Sequence, residues 1–336
     1  MKKLQVLFLV LGVSFSLFAG GGSQAAPASG GSAAPVHLKF SNVTSDSAVQ
    51  AGEEFKRIAE AESQGTLIID HFPKNQLGDD LPVVENTITG DIDIAVSSTS
   101  SITELYHDLY IFDGPFLFLN PEDAYKRLDG VTGKKILDGM SSIGLKGLAQ
   151  WENGFRNFTN NKVAVRLPSD VKGMKVRTMN NDVHLAAWKA FGANPTPMAF
   201  NELFTALQQG TVDAEENPLG IIDSNNFQSV QKYVSLTQHV YTPYIVVMNL
   251  KKYNSLTDVQ KAAIDKAALQ STTFQRNKSQ ELEKQTLDKF AQQGITVVNL
   301  TTEEKSAWQK IVVDNKILDM VKVKLDHPEY ADEILK

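Results

Sequence analysis

The segment ELFTALQQGTVDAEE, residues 202–216, combines a helical pattern, a glycine and a strand-like pattern in one short run. We predict a helix over residues 202–209 and a strand over residues 212–215, with Gly210 ending the helix. A second segment, TGDID at residues 89–93, shares its Gly-x-(Ile/Val)-Asp pattern with QGTVD at residues 209–213. The likeness indicates either one supersecondary unit built twice, once in each half of the chain, or a chance match.

Strands and helices alternate on both sides of these segments. The other predicted strands cover residues 36–40, 66–72, 92–96 and 174–177. The other predicted helices cover residues 46–63, 82–89 and 182–191. Such alternation is typical of an α/β fold, because parallel strands are joined by crossovers that are usually helical. We therefore expect a largely parallel sheet flanked by helices.

A long segment near the C-terminus also has a helical character. Thr257 followed by Gln260 forms a capping box, and residues 258–292 contain neither Pro nor Gly before Gly294. One unbroken helix of that length would measure about 50 Å at ~1.5 Å per residue, too long for one small lobe. The alternative is two helices with a bend near residues 271–273.

The N-terminus has the layout of a secretory signal. Lys2 and Lys3 precede a mostly apolar stretch over residues 4–18, which is shorter than the ~20 residues of a membrane-spanning helix. A tract rich in Gly, Ala, Ser and Pro follows, so we expect residues 1–35 to comprise a signal peptide and a flexible tract. Cleavage after Ala19 or Ala28 fits the pattern, and a retained anchor is the alternative. The chain is expected in the periplasm.

Composition argues against several classes of function. The chain has no Cys, which excludes disulfides, thiolate sites and a lipid anchor on an N-terminal Cys. Without Lys2 and Lys3 it carries 31 basic and 39 acidic residues, a net charge of −8 that disfavours nucleic acid as a partner. The six histidines show no i, i+4 pair, so neither a metal nor another cofactor is expected.

Catalytic motifs are not evident either. The carboxylate pairs Asp79–Asp80, Asp91/Asp93 and Glu215–Glu216 could serve a glycosidase, and solvated surface is the other interpretation. We therefore predict that the chain is not an enzyme.

Three polar residues occupy the ends of predicted strands, where open α/β sheets bind ligands. Arg177 follows the strand at residues 174–176, Arg156 ends another at residues 151–155, and Asn217 precedes Pro218. A guanidinium matches a carboxylate bidentately, and an amide can donate to one. A surface salt bridge is the alternative for both arginines, and is favoured for Arg156.

Longer motifs resemble a known family. They are GMKVR at 173–177, GANPTPMAF at 192–200, ALQQGTVD at 206–213 with ENPL at 216–219, QLGDD at 76–80 and NGFR at 153–156. From about Val36 to the C-terminus the chain resembles the DctP-type solute-binding proteins of TRAP (tripartite ATP-independent periplasmic) transporters. The resemblance implies two α/β lobes, each a sheet flanked by helices, with a long helix spanning both. We place lobe I at residues 36–153 plus about 243–282, and lobe II at residues 154–242 plus about 283–336.

The resemblance also implies a site and partners. Arg177 would clamp the ligand carboxylate, with Arg156 and Asn217 in support and Phe200 against the ligand body. Asp80 and Ser98 would meet its other end from the opposite lobe. The protein would act as a monomer that delivers a small organic acid to the small and large membrane subunits.

The nature of the acid is a narrower prediction. The run at residues 151–160 looks most like relatives that take sugar acids such as hexuronates, and apolar Val43 with Ser98 disfavours sialic acid. A C4-dicarboxylate is the alternative, although it needs a second cationic site. A secreted enzyme acting on a carbohydrate acid and a partner of a sensor are further alternatives.

Overall fold

The computed structural model describes residues 34–334, so the predicted signal peptide lies almost wholly outside the described residues. The strands are β1 Val36–Ser41, β2 Leu67–Phe72, β3 Ile94–Ser98, β4 Leu145–Asn160, β5 Lys175–Thr178, β6 Asn194–Pro197, β7 Ala214–Pro218, β8 Tyr233–Leu236, β9 Tyr241–Asn249 and β10 Thr296–Asn299. The helices are α1 Asp46–Glu62, α2 Asp80–Thr89, α3 Pro121–Leu128, α4 Val131–Gly139, α5 Asp182–Ala190, α6 Leu203–Gln209, α7 Leu219–Ser224, α8 Leu250–Ser255, α9 Asp258–Gln292, α10 Thr302–Asp314, α11 Ile317–Lys324 and α12 Tyr330–Ile334.

The strands form two half-sheets that share strand β4. The main order is β2-β1-β3-β9-β4-β7-β5-β6, and β8 pairs with both β4 and β10. The N-terminal part of β4 pairs with β9, whereas its last residues pair with β7 and β8. We call the elements on β1, β2, β3 and β9 the first lobe, and those on β5 to β8 the second lobe. The α/β prediction is confirmed.

The prediction of a largely parallel sheet needs correction. Neighbours within each lobe are parallel, as in β1/β2, β1/β3, β5/β6 and β5/β7. The two crossing strands β4 and β9 run antiparallel to each other, and each is also antiparallel to a strand of one lobe. The sheet is therefore mixed, because the chain crosses between the lobes along strands rather than through helices.

Strand β4 bends where it passes from one lobe to the other. Its register against β9 shifts between Glu152 and Gly154, and Gly154 has φ +116°, a conformation that favours glycine. The lobe boundary predicted at residues 153/154 falls at this bend; the boundaries themselves stay predictions.

The two segments that share the Gly-x-(Ile/Val)-Asp pattern adopt the same local structure. Gly90 ends α2 and Gly210 ends α6, both in the left-handed conformation. The Asp93 carboxylate accepts the Lys39 backbone N–H at 2.8 Å, and the Asp213 carboxylate accepts the Lys175 backbone N–H at 2.9 Å. Each aspartate thus joins the segment to the first strand of its lobe, so the likeness reflects a unit built twice.

Helix α9 is one continuous helix, so the two-helix alternative is wrong. The Thr257–Gln260 capping box at its start is present. At its middle, Gln275 accepts the Glu152 N–H and donates to the Glu152 carbonyl, both at 2.7 Å. The helix is therefore fixed to β4 at the bend between the lobes. No helix among residues 34–334 combines the length and apolar character needed to cross a bilayer.

Candidate ligand-binding site

A cavity of about 510 Å³ lies between the two lobes. Every residue that the sequence placed in the site lines it: Asp80, Ser98, Arg156, Arg177, Phe200 and Asn217. Further polar or polarisable groups on its wall are Thr44, Asn75, Asp79, Ser101, Glu104, Asn153, Met179, Asn180 and Tyr244. Its volume suits a small organic molecule.

Arg177 presents a buried positive charge to this cavity. Strand β5 carries it, and its side chain donates to the Met198 carbonyl through Nε at 3.0 Å and Nη2 at 2.7 Å. The guanidinium carbon lies 5.8 Å from the centroid of the Phe200 ring. Within residues 34–334, no carboxylate forms an ion pair with Arg177, although the residue is only 3% exposed. A surface salt bridge is the alternative that the sequence leaves open for Arg177. This buried environment fits an anion site better than it fits that alternative.

Burial, together with the nearby charge of Arg156, lowers the pKa of Arg177 from its ordinary value. Guanidinium groups nevertheless stay protonated in proteins. A desolvated cation without a counter-ion is costly, and a bound anion would remove that cost. Arg177 is therefore the residue of the cavity wall at which an anion would be stabilised most.

Arg156 has the opposite environment. Its Nε donates to Glu216 Oε2 at 2.5 Å, and its Nη2 donates to Glu216 Oε1 at 3.0 Å and Asn217 Oδ1 at 2.9 Å. The favoured alternative of a surface salt bridge is wrong, since Arg156 is 1% exposed. It also lies inside β4 rather than at a strand exit, because β4 continues across both lobes.

Glu216 is held as a carboxylate by two partners. Burial favours its neutral form, yet Arg156 and His239, whose Nε2 lies 3.0 Å from Glu216 Oε2, keep its pKa well below the ordinary value. Since that carboxylate already neutralises Arg156, this arginine can support a bound anion but does not offer a free charge.

Asn217 connects Arg156 to a second buried acid. It lies within β7, not after the strand as the sequence suggested, because pairing with β4 extends the strand through Pro218. Its Nδ2 donates to Glu215 Oε2 at 2.6 Å, and burial raises the pKa of Glu215 to about 7. One amide N–H of Asn217 remains for another acceptor. The Glu215–Glu216 pair is thus part of a buried network rather than solvated surface.

The first lobe supplies an acidic and hydroxyl-bearing wall. Asp80 begins α2 and accepts the Ser101 hydroxyl at 2.9 Å. Burial raises the pKa of Asp80 to about 7, and the neighbouring Asp79 adds to that increase. Ser98 is buried, and its hydroxyl lies 3.7 Å from the sulfur of Met179 in the second lobe. This wall can accept hydrogen bonds from a polar ligand, and it would repel an anionic group.

Sequence reasoning missed several residues of the wall. The sequence points to Asp79 only as one of a carboxylate pair, whereas its Oδ2 accepts the Phe200 backbone N–H at 2.8 Å on the cavity wall. Asn153 is 9% exposed, and its Oδ1 has no hydrogen-bond partner in the described part of the chain. Both residues lie within the motifs QLGDD and NGFR, so their positions in these motifs are a signal that could identify them. Their contacts cannot be predicted from the sequence.

Comparison with known proteins agrees with this architecture. Residues 40–316 match the DctP family, bacterial extracellular solute-binding protein family 7. The chain is 35% identical over 322 residues to the 2,3-diketo-L-gulonate-binding periplasmic protein YiaO of Escherichia coli K12, covering 95% of this chain and 96% of that protein. It is 30% identical over 284 residues to the C4-dicarboxylate-binding periplasmic protein DctP of Rhodobacter capsulatus, covering 83% and 85% of the two chains.

A solved structure gives the same result in three dimensions. The sugar acid binding protein DctPAm of Advenella mimigardefordensis strain DPN7T, in complex with galactonate, superposes with a TM-score of 0.86 at 36% identity. The match covers 90% of this chain and 97% of that one. A family match over most of the chain, a two-lobed α/β fold and an inter-lobe cavity with a buried arginine together show that the chain belongs to the DctP family of extracellular solute-binding proteins of TRAP transporters.

Proposed function

We propose that this chain captures a sugar acid between its lobes through the guanidinium of Arg177 and delivers it to TRAP membrane subunits. The observation that carries the proposal is that no carboxylate in the described part of the chain pairs with Arg177, which is 3% exposed on the cavity wall. A ligand carboxylate would complete this site with charge-assisted hydrogen bonds. Arg156 and Asn217 lie beside it and would hold the same carboxylate.

The opposite wall favours a ligand with one carboxylate and several hydroxyls. Asp80, Ser98 and Ser101 offer oxygen acceptors and hydroxyl groups that suit sugar hydroxyls. Both arginines of the described cavity lining come from the second lobe, and no lysine lines it. A second carboxylate would therefore lie near Asp79, Asp80 or Glu104, where like charges repel. The sugar acids named for YiaO and DctPAm match this distribution of charge.

A C4-dicarboxylate is the second candidate, because the Rhodobacter capsulatus relative is a C4-dicarboxylate-binding protein. This ligand would have to be accommodated with Asp80 protonated or with its second carboxylate near the cavity mouth. The raised pKa of Asp80, about 7, makes the first arrangement possible near neutral pH. The two candidates therefore differ in whether binding weakens as Asp80 ionises.

Two-lobed closure supplies the mechanism. In the open form, water would hydrate Arg177; ligand binding to the second lobe and closure of the first would expel that water and strengthen the ion pair. The ligand would shift the population towards the closed form by binding it more tightly. The signal peptide within residues 1–35 would direct export to the periplasm and be cleaved there, and the protein would act as a monomer.

A thermal-shift panel tests the ligand class. The mature chain is mixed with galactonate, 2,3-diketo-L-gulonate, glucuronate, succinate and malate, since a ligand of the folded form raises the Tm by mass action. We expect the sugar acids to raise the Tm more than the dicarboxylates. Calorimetric titration then gives the stoichiometry and Kd, and chromatography of the recovered ligand tests for turnover. A panel without any stabilising acid would refute the proposal, and a chemically altered ligand would favour an enzyme.

A further inference from the structure

Asp79 occupies the N-cap position of α2 without capping that helix. An aspartate at this position normally accepts a backbone N–H from the first turn of its own helix. Here the backbone is extended, with φ −82° and ψ 171°, and the side chain makes no capping hydrogen bond. The Asp79 carboxylate is therefore free to accept hydrogen bonds from groups outside α2.

That carboxylate bonds to the second lobe. Oδ2 of Asp79 accepts the backbone N–H of Phe200 at 2.8 Å and that of Asn201 at 3.3 Å. Phe200–Glu202 is a 3₁₀ turn that leads directly into α6, so these N–H groups belong to a helix start that needs external acceptors. Asp79 caps the beginning of a helical segment in the opposite lobe.

The contact lies on the wall of the cavity that contains Arg177. Asp79 and Phe200 both line that cavity, and the Phe200 ring contacts the Arg177 guanidinium. Other hydrogen bonds that join the lobes include those from Asn225 Nδ2 to Thr44 Oγ1 at 3.0 Å and from the Asp46 N–H to Ser224 Oγ at 3.1 Å. The acceptor in the Asp79 contact is a carboxylate, which makes stronger hydrogen bonds than a neutral oxygen does.

We propose that Asp79 is a latch residue, which caps α2 when the lobes are apart and caps the Phe200–Glu202 turn when they close. The inference rests on the proposed function, since closure is meaningful only if the cavity holds a ligand. Exchange of one set of backbone donors for another keeps the carboxylate hydrogen-bonded in both forms. The latch would therefore slow opening, and hence ligand release, without making the ligand-free protein less stable.

Substitutions at this position separate the latch from helix capping. Asp79→Ser keeps an efficient N-cap for α2, but its hydroxyl is one bond shorter and cannot reach Phe200. Asp79→Asn keeps an acceptor oxygen at the original reach. Glu85→Ala is the matched control, because Glu85 is an exposed acid on the same helix that lies outside the cavity lining.

The experiment measures galactonate release by stopped-flow displacement and Kd by calorimetry. We expect Asp79→Ser to dissociate about tenfold faster with a nearly unchanged association rate, as loss of one charge-assisted contact made only in the closed form would do. Asp79→Asn keeps the acceptor but loses the charge, so its dissociation rate should lie between those of Asp79→Ser and wild type, and Glu85→Ala should match wild type. The Tm of the ligand-free Asp79→Ser variant should stay within about 2 °C of wild type.

Amide exchange of Phe200 and Asn201 reports on the contact itself. With galactonate bound, both amides should exchange several-fold faster in Asp79→Ser than in wild type. Equal dissociation rates and equal amide exchange in the two proteins would overturn the latch. If the wild-type protein binds no acid of the panel, the proposed function fails, and the latch that rests on it fails with it.

Discussion

Arg177 and Arg156 line one cavity and are almost equally buried, yet their surroundings are opposite. Arg156 has a carboxylate partner in Glu216, whereas Arg177 donates to the neutral carbonyl of Met198. A buried charge with its own counter-ion belongs to the architecture, and one without a counter-ion is available to a ligand. The comparison predicts that Arg156 contributes to stability and that Arg177 contributes to ligand affinity.

Substitution of Arg177 should have the largest effect, and the effect should be on ligand affinity. Arg177→Ala is expected to weaken sugar-acid binding at least about a hundredfold, since removing one partner of a desolvated pair costs about 3–5 kcal/mol. The Tm of the ligand-free protein should stay the same or rise slightly, because a costly buried charge is removed. Calorimetric titration and thermal melts measure both. The control is Arg166→Ala, an exposed arginine outside the cavity; an unchanged Kd in Arg177→Ala would contradict the assignment.

Substitution of Arg156 should give the reverse pattern. Arg156→Met leaves the Glu216 carboxylate buried without its guanidinium, so the free energy of unfolding should fall by about 3 kcal/mol. Urea denaturation at pH 7 measures this loss. The double variant Arg156→Met/Glu216→Gln should recover part of it, because the uncompensated charge is then absent. A single variant as stable as wild type would show that Glu216 and Arg156 are not a structural pair.

The acidic wall of the first lobe provides a pH test. Burial raises the pKa of Asp80 to about 7 from about 4 in the unfolded chain, so the folded protein holds this proton more tightly between those values. Its contribution to the free energy of unfolding is complete below about pH 4 and is lost as the pH rises through 7.

Asp80→Asn removes this contribution. Between pH 5 and pH 7, the free energy of unfolding should fall by roughly 1 kcal/mol less in the variant than in wild type. This value allows for partial solvent screening. Denaturation curves at both pH values measure the difference. Glu152 and Glu215 have pKa values raised in the same direction and contribute to the slope that remains. Parallel pH profiles of wild type and variant would contradict the assignment.

The smallest effect is expected at Phe200. Phe200→Leu removes the ring that lies against the Arg177 guanidinium and keeps the backbone N–H that bonds to Asp79. Binding should weaken about two- to fivefold, the range for a cation–π contact of ~0.5–1 kcal/mol. Phe204→Leu is the control, because Phe204 lies in the next turn but does not line the cavity. Equal affinities for the two variants would leave the ring without a role in binding.

Much of the fold follows from local sequence patterns. The Gly-x-(Ile/Val)-Asp repeat, the alternating strands and the capping box at Thr257 each depend on neighbouring residues, and each is present in the structure. The sharing of β4 by both lobes could not be seen in this way. The sequence predicts a strand end at Arg156, whereas in the folded chain the strand bends at Gly154 and long-range pairing continues it to Asn160.

The site was predictable in part for the same reason. Arg177, Arg156 and Asn217 were found from residue type and from motifs that resemble a family. Strands β4 and β7 lie side by side although their paired residues are some 60 positions apart in sequence. This pairing buries Glu216 and decides which arginine has a counter-ion. The contact between Asp79 and the Phe200 N–H spans 121 positions and depends on the approach of two lobes. Pairings of that kind are set by tertiary structure alone.

The shared strand β4 has a consequence for how the protein unfolds. Each half-sheet obtains a central strand from the same continuous segment, and α9 is bonded to that segment at Glu152. Cutting the chain near residue 153 would expose a sheet edge in both fragments, so neither lobe should fold as an isolated piece. The protein should therefore melt as one cooperative unit, in which loss of either lobe removes the support of the other.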